Sequence, residues 1–112
     1  MGVIKHNAII VTSLDEERIN KIHKKCEKFI KKGMKDYITY FPETLCIITH
    51  VIKSIANGYY SFMIGPDGSK EGWETSNSMD EVRNKIVKYL NKKKVDYAHI
   101  TYGGDFNDKT IE

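Results

Sequence analysis

Residues 58–73 read Gly58-Tyr59-Tyr60-Ser61-Phe62-Met63-Ile64-Gly65-Pro66-Asp67-Gly68-Ser69-Lys70-Glu71-Gly72-Trp73, and the two halves of this stretch decide the fold. The first half is aromatic and branched, bounded by Asn57-Gly58 before it and Gly65-Pro66 after it, which predicts a strand at 59–64. Asn-Gly is a strong hairpin signal, so a partner strand is expected just before it, at 45–55. The second half is turn chemistry, Pro66-Asp67-Gly68, and it ends on the sole tryptophan of the chain.

Further toward the N-terminus, residues 34–44 are aromatic, with Tyr37, Tyr40 and Phe41, and Pro42 argues against a central strand there. This segment is expected to be a connection packed on the domain. Before it, Ile19, Ile22, Cys26, Phe29 and Ile30 recur at helical steps. Ser13 reads as the N-cap, with Glu16 completing a capping box and Gly33 as the stop. Residues 6–12, with the apolar run 8–11, predict the first strand. On the other side of the hairpin a loop at 65–77 leads to a second helix. Ser78 reads as its N-cap, Glu81 completes the box, and Val82, Ile86, Tyr89 and Leu90 form the stripe. A fourth strand follows at 95–102, then a frayed tail at 105–112. The order β-α-β-β-α-β predicts an α+β, ferredoxin-like (split βαβ) sandwich: a four-stranded antiparallel sheet with two helices on one face and strands one and three in the centre.

The chain has 112 residues, of which 40% are hydrophobic and 29% charged. That is ordinary for a globular protein, and one domain over 1–112 is expected. The apolar run 8–11 is too short to span a bilayer, and no secretory signal is read at the start, so a cytoplasmic protein without a membrane partner is expected. Cys26 and Cys46 do not make a disulfide framework and fit a reducing compartment. The net charge of +3 is too small an excess to mark a nucleic-acid binder. The lysine clusters at 24–25, 31–32 and 92–94 lie at or near the ends of the expected helices, and helix C-terminal dipoles explain most of them.

One sheet face must be left by the helices for solvent, a ligand or another subunit. Alternation along the strands assigns Tyr59, Ser61 and Met63, with Tyr97, His99 and Thr101, to that face. Tyr, Met and His beside hydroxyls suit base stacking or a dimer interface. RNA recognition on such a sheet wants a basic-Gly-aromatic start to strand three; here Asn57 stands at the basic position and Ser61 at a stacking one. His23, Cys26, Cys46 and His50 are a zinc-type set, but Cys26 belongs to the helix stripe and the spacings fit no familiar module, so core cysteines and no metal are expected. His99-Ile100-Thr101 matches the H-x-T element of two-histidine phosphoesterases, but no second such element supplies the partner imidazole. No phosphate loop or nucleophile elbow is present. The loop at 65–73 offers Ser69, Lys70 and Trp73, a hydroxyl, a cation and a ring able to cradle an anion and stack a base.

The runs Asn57-Gly58-Tyr59, Ser61-Phe62 and Pro66-Asp67-Gly68-Ser69-Lys70-Glu71-Gly72-Trp73, with His6 to Ser13 and Tyr102-Gly103-Gly104-Asp105, resemble a group of small, mostly uncharacterised bacteriophage-encoded proteins. The resemblance covers most of the chain except 34–50, and it implies a phage origin and a host cytoplasm rather than a function. A phage accessory protein of this kind is expected to act against host defence. One route is sequestering a small anionic, nucleotide-type signal through Ser69, Lys70, Trp73, Tyr59, Tyr97 and His99. The alternatives are blocking a host defence protein by direct contact, as anti-CRISPR proteins do, or binding nucleic acid. No cofactor is expected, an enzymatic role has no named nucleophile or base, and a homo-oligomer, most simply a dimer, would cover the exposed sheet face.

Overall fold

The computed structural model describes residues 5–68, 74–103 and 108–111. The elements in order are β1 (Lys5–Ser13), α1 (Glu16–Gly33), α2 (Lys35–Tyr40), a 3-10 helix (Pro42–Ile47), β2 (Ile52–Lys53), β3 (Tyr60–Ile64), α3 (Glu74–Lys93), β4 (Asp96–Gly103) and β5 (Asp108–Ile111). The protein is α+β, with an antiparallel sheet in the order β2-β3-β1-β4-β5. A strand, β5, lies within the stretch expected to fray; it pairs with β4 and extends the sheet past the four strands anticipated.

Ile9 and Val11 of β1 pair with Ile64 and Phe62 of β3. These four join Ile19, Ile22, Cys26 and Ile30 of α1 and Met79, Val82, Ile86 and Leu90 of α3 in one buried cluster. Both long helices therefore cover the same sheet face. They pack closely at one end, where a Cβ added to Gly33 would meet Val82 Cγ2 at 2.3 Å. At the other end the Arg18 guanidinium on α1 donates to the Lys93 carbonyl that ends α3. The two helices thus run antiparallel.

Neither helix starts where the capping boxes predict. Ser13 is still paired in β1, opposite Tyr60, so the cap of α1 falls to Asp15, whose carboxylate accepts from Arg18 N at 3.1 Å. Ser13 Oγ instead accepts from Asp15 N at 3.1 Å. Ser78 is inside α3, which begins a turn earlier at Glu74. The buried stripe of α3 runs back to Ser76, a polar residue that hydrophobic periodicity passes over.

The expected strand at 45–55 is mostly not a strand. Pro42 sits in the first turn of the 3-10 helix, where its missing N–H costs nothing. Ile48 bridges Ile64 and Thr49 N donates to Met63 O at 2.8 Å, yet Ile52 and Lys53 pair with Ser61 and Tyr60. The register slips by one residue, so His50 and Val51 together stand opposite Phe62, a β-bulge. His23 on α1 holds this bulge: its Nε2 donates to Thr49 O at 2.7 Å, and its ring meets Phe62 edge-on at 5.0 Å. The hairpin beyond it forms as expected, with Asn57 and Gly58 at φ 64 and 68 and Ser54 N donating to Tyr59 O at 2.8 Å.

Candidate functional site

The sheet faces decide which of the expected residues meet. Residues directly opposite in an antiparallel ladder share a face. Tyr97 and His99 are opposite Val11 and Ile9, so they lie on the helix-covered side, not on the open one as alternation suggested. Tyr97 packs against the core and its hydroxyl donates to Asn91 Oδ1 at 2.7 Å. Thr101, on the same side, donates to Asn7 Oδ1 at 2.7 Å. The open face instead carries Ile10 opposite Met63 and Ala98, Ala8 opposite Ile100, and His6 opposite Tyr102. The two alternating sets of β4 differ too little in polarity to show which of them faces the helices. In fact the sheet is apolar on both faces. Tyr59, beyond the end of β3, is exposed and lines a shallow cleft with Leu14, Arg18 and Lys94. It does not meet Tyr97 and His99 across one face. Ser69, Lys70 and Trp73 lie outside the described residues; their flanking residues Gly68 and Glu74 bracket the entry to α3.

The cysteines part company. Cys26 is buried in the core and its thiol is pushed up to about 12 by burial, whereas Cys46 is exposed on the 3-10 helix rather than in the core. His23 is committed to Thr49 O and to Glu27, whose Oε1 is 3.0 Å from Nδ1. Among the described residues no group of three His, Cys, Asp or Glu side chains could hold a metal ion.

A concavity lies where α2 turns away from the end of α1. It is an open cleft of about 330 Å³ lined by Lys32, Gly33, Met34, Lys35, Asp36, Tyr37, Tyr40, Phe41 and Ser78. No family model, curated protein or solved structure matches this chain. The site is therefore argued from its chemistry. Tyr37 and Phe41 pack ring to ring at 4.9 Å, and Tyr40 is 80% exposed. Three aromatic rings thus lie at the surface within five positions, beside two lysines.

A second hollow of about 230 Å³ adjoins the first through Met34 and Tyr37 and is closed by Thr44, Ile47, Pro66, Asp67 and Met79. Its far wall, Pro66-Asp67, is the start of the loop that the sequence singles out. Two contacts hold that wall. Gly65 N donates to Ile47 O at 2.7 Å. Arg83 of α3, only 2% exposed, donates to Asp67 Oδ1 at 3.2 Å and to Asp80 Oδ1 at 2.7 Å. Sequence reasoning missed both the cleft and Arg83. The density of aromatics at 37–41 was the signal for the first. A lone Arg between apolar stripe positions gives no sign that it is buried.

Proposed function

We propose that this protein is a non-enzymatic phage accessory factor that binds and holds a small anionic, nucleotide-type ligand in the cleft beside α2. The observation that carries the reading is the meeting of Lys32 and Lys35 with the exposed rings of Tyr37, Tyr40 and Phe41 around one concavity. A phosphate wants the cations, and a base wants the rings. The ferredoxin-like reading of the fold belongs here too: the order β2-β3-β1-β4, with two helices on one face, supports it.

The test is native mass spectrometry of protein purified from its host, followed by calorimetry with mono-, di- and cyclic dinucleotides. A bound nucleotide is expected. Lys35→Ala should weaken its affinity about tenfold or more, because a charge-assisted hydrogen bond contributes roughly 1.5–3 kcal/mol. Tyr40→Ala should act similarly through lost stacking, about 1–3 kcal/mol per base. Both side chains are exposed, so the melting temperature should hardly move. Ligand-free protein that takes up no nucleotide, or variants that bind as wild type does, would refute the reading.

The open sheet face favours a second copy of the chain. Ile10 and Tyr102 are each 37% exposed there, and Ile52 is 64% exposed. The central pairs around Ile10 are uncharged, so the patch can face its own two-fold mate without like-charge conflict. Light scattering should give a dimer at micromolar concentration, and Ile10→Asp should give a monomer with the fold intact. A monomeric wild type excludes this arrangement.

A further inference from the structure

We propose that the outer face of the α1–α3 layer is a docking surface for the phosphate backbone of nucleic acid. The helix-dipole account of the lysines covers only the last turn of each helix. The structure leaves many others to explain. Lys21, Lys24, Lys25, Lys28, Lys31 and Lys32 are all exposed on α1, opposite its buried stripe of Ile19, Ile22, Cys26 and Ile30. They rise about 16 Å along the helix. Lys85, Lys88, Lys92 and Lys93 are exposed on α3. Between Arg18 and Lys35 the sole acid is Glu27, which faces His23, and between Lys85 and Lys94 there is none. The exposed acids of the two helices, Glu16 and Glu17 on α1 and Asp80 and Glu81 on α3, stand in their N-terminal halves, where Glu17 pairs with Lys21 at 3.5 Å; the lysines beyond them are left without carboxylates, and the modest net charge of +3 conceals this.

The two rows belong to one surface. Lys25 lies over Phe29 at 5.2 Å, Phe29 meets Tyr89 at 5.7 Å, and Lys93 lies over Tyr89 at 5.8 Å. Lysines of both helices therefore border the seam between them. Apart from the half-buried Phe29–Tyr89 pair the face offers no apolar anchor: among the described residues, every exposed large hydrophobic lies outside α1 and α3. A protein partner would look for aromatic or apolar anchors and few lysines. A membrane-surface helix would need apolar side chains to insert. A phosphate backbone needs neither. Lysine, a point charge without the forked geometry of arginine, suits contact that ignores sequence.

The face meets the α2 cleft at Lys32, which belongs to both, so the proposal is tested on residues that do not line the cleft. Fluorescence anisotropy with a labelled 20-base-pair DNA duplex, between 50 and 200 mM salt, is the measurement. Binding is expected to fall steeply with salt and to be indifferent to sequence. The exposed triple variant Lys24→Gln/Lys28→Gln/Lys88→Gln should flatten the log–log salt slope by about one unit for each lysine removed, with an unchanged circular dichroism spectrum. Tyr40→Ala, a cleft variant, should bind the duplex as wild type does; a loss there would put the polyanion in the cleft and overturn the helix-face assignment. No binding at 50 mM salt, an unchanged slope in the triple variant, or tighter binding to polyglutamate or phosphatidylserine vesicles than to DNA would each overturn it as well.

Discussion

Asp67→Ala is expected to lower stability by about 3 kcal/mol, a fall in melting temperature of roughly 12 °C for a chain of this size. The cause is the Arg83 guanidinium left behind. Arg83 is 2% exposed and the Asp67 side chain 8% exposed, so neither end of the 3.2 Å pair is screened by water. The second partner, Asp80, approaches to 2.7 Å but is 55% exposed. It cannot replace a buried counter-charge, and Asp80→Ala should cost less than about 1 kcal/mol. The double variant Asp67→Ala/Arg83→Met separates the two explanations. If the loss in Asp67→Ala is the stranded charge, removing that charge should restore most of the stability. If the double variant is as unstable as the single, the loop needs Asp67 for its own conformation, and the ion pair is incidental. Thermal melts by circular dichroism decide between them.

The functional consequence follows from position. Asp67 and Pro66 wall the smaller hollow beside the α2 cleft. Arg83 therefore fixes this wall from behind, from the buried side of α3. A ligand that reaches this wall would meet residues already held in place, so little affinity would be lost to ordering them.

What was legible in the sequence was the part governed by local rules. The alternating strand at 59–64 and the Asn57-Gly58 turn led to the β2–β3 pairing that is found, and the helix stripes located the core residues of α1 and α3. Three things were not legible, each for a physical reason. The bulge at His50-Val51 is held through Thr49 by a contact from His23, 26 positions before Thr49, and no local pattern encodes it. The assignment of Tyr97 and His99 to the open face failed because both alternating sets of β4 are partly apolar; only the register against Ile9 and Val11 resolves them. The charged face of α1 was visible as lysine pairs, but its continuity appears only when the buried stripe fixes which side of the helix faces out. In the candidate site, the sequence marks Tyr37, Tyr40 and Phe41 as aromatic but not as a site, since their grouping depends on α2 bringing them beside Lys32 and Lys35.

Phe62→Ala should be as damaging as the loss of Asp67, about 3–5 kcal/mol, and it tests the face assignment on which the rest depends. Phe62 is 2% exposed on β3. It pairs with Val11 on one side and faces the bulged His50 and Val51 on the other. Its ring is also the surface against which the His23 imidazole packs edge-on at 5.0 Å. Truncation would leave a void under α1 and remove the edge contact that helps His23 reach Thr49 O, so two links between helix and sheet weaken together. Met63, the next residue, points to the opposite face and is only half-buried. Met63→Ala should cost about 1 kcal/mol, near the centre of the range for point substitutions. Chemical denaturation of the two variants gives a direct comparison. Equal losses would mean that both sheet faces are equally covered, by a second copy on the open side, and dilution would then lower the stability of Met63→Ala. A larger loss for Met63→Ala than for Phe62→Ala would invert the faces of β3 and undo the placement of the core.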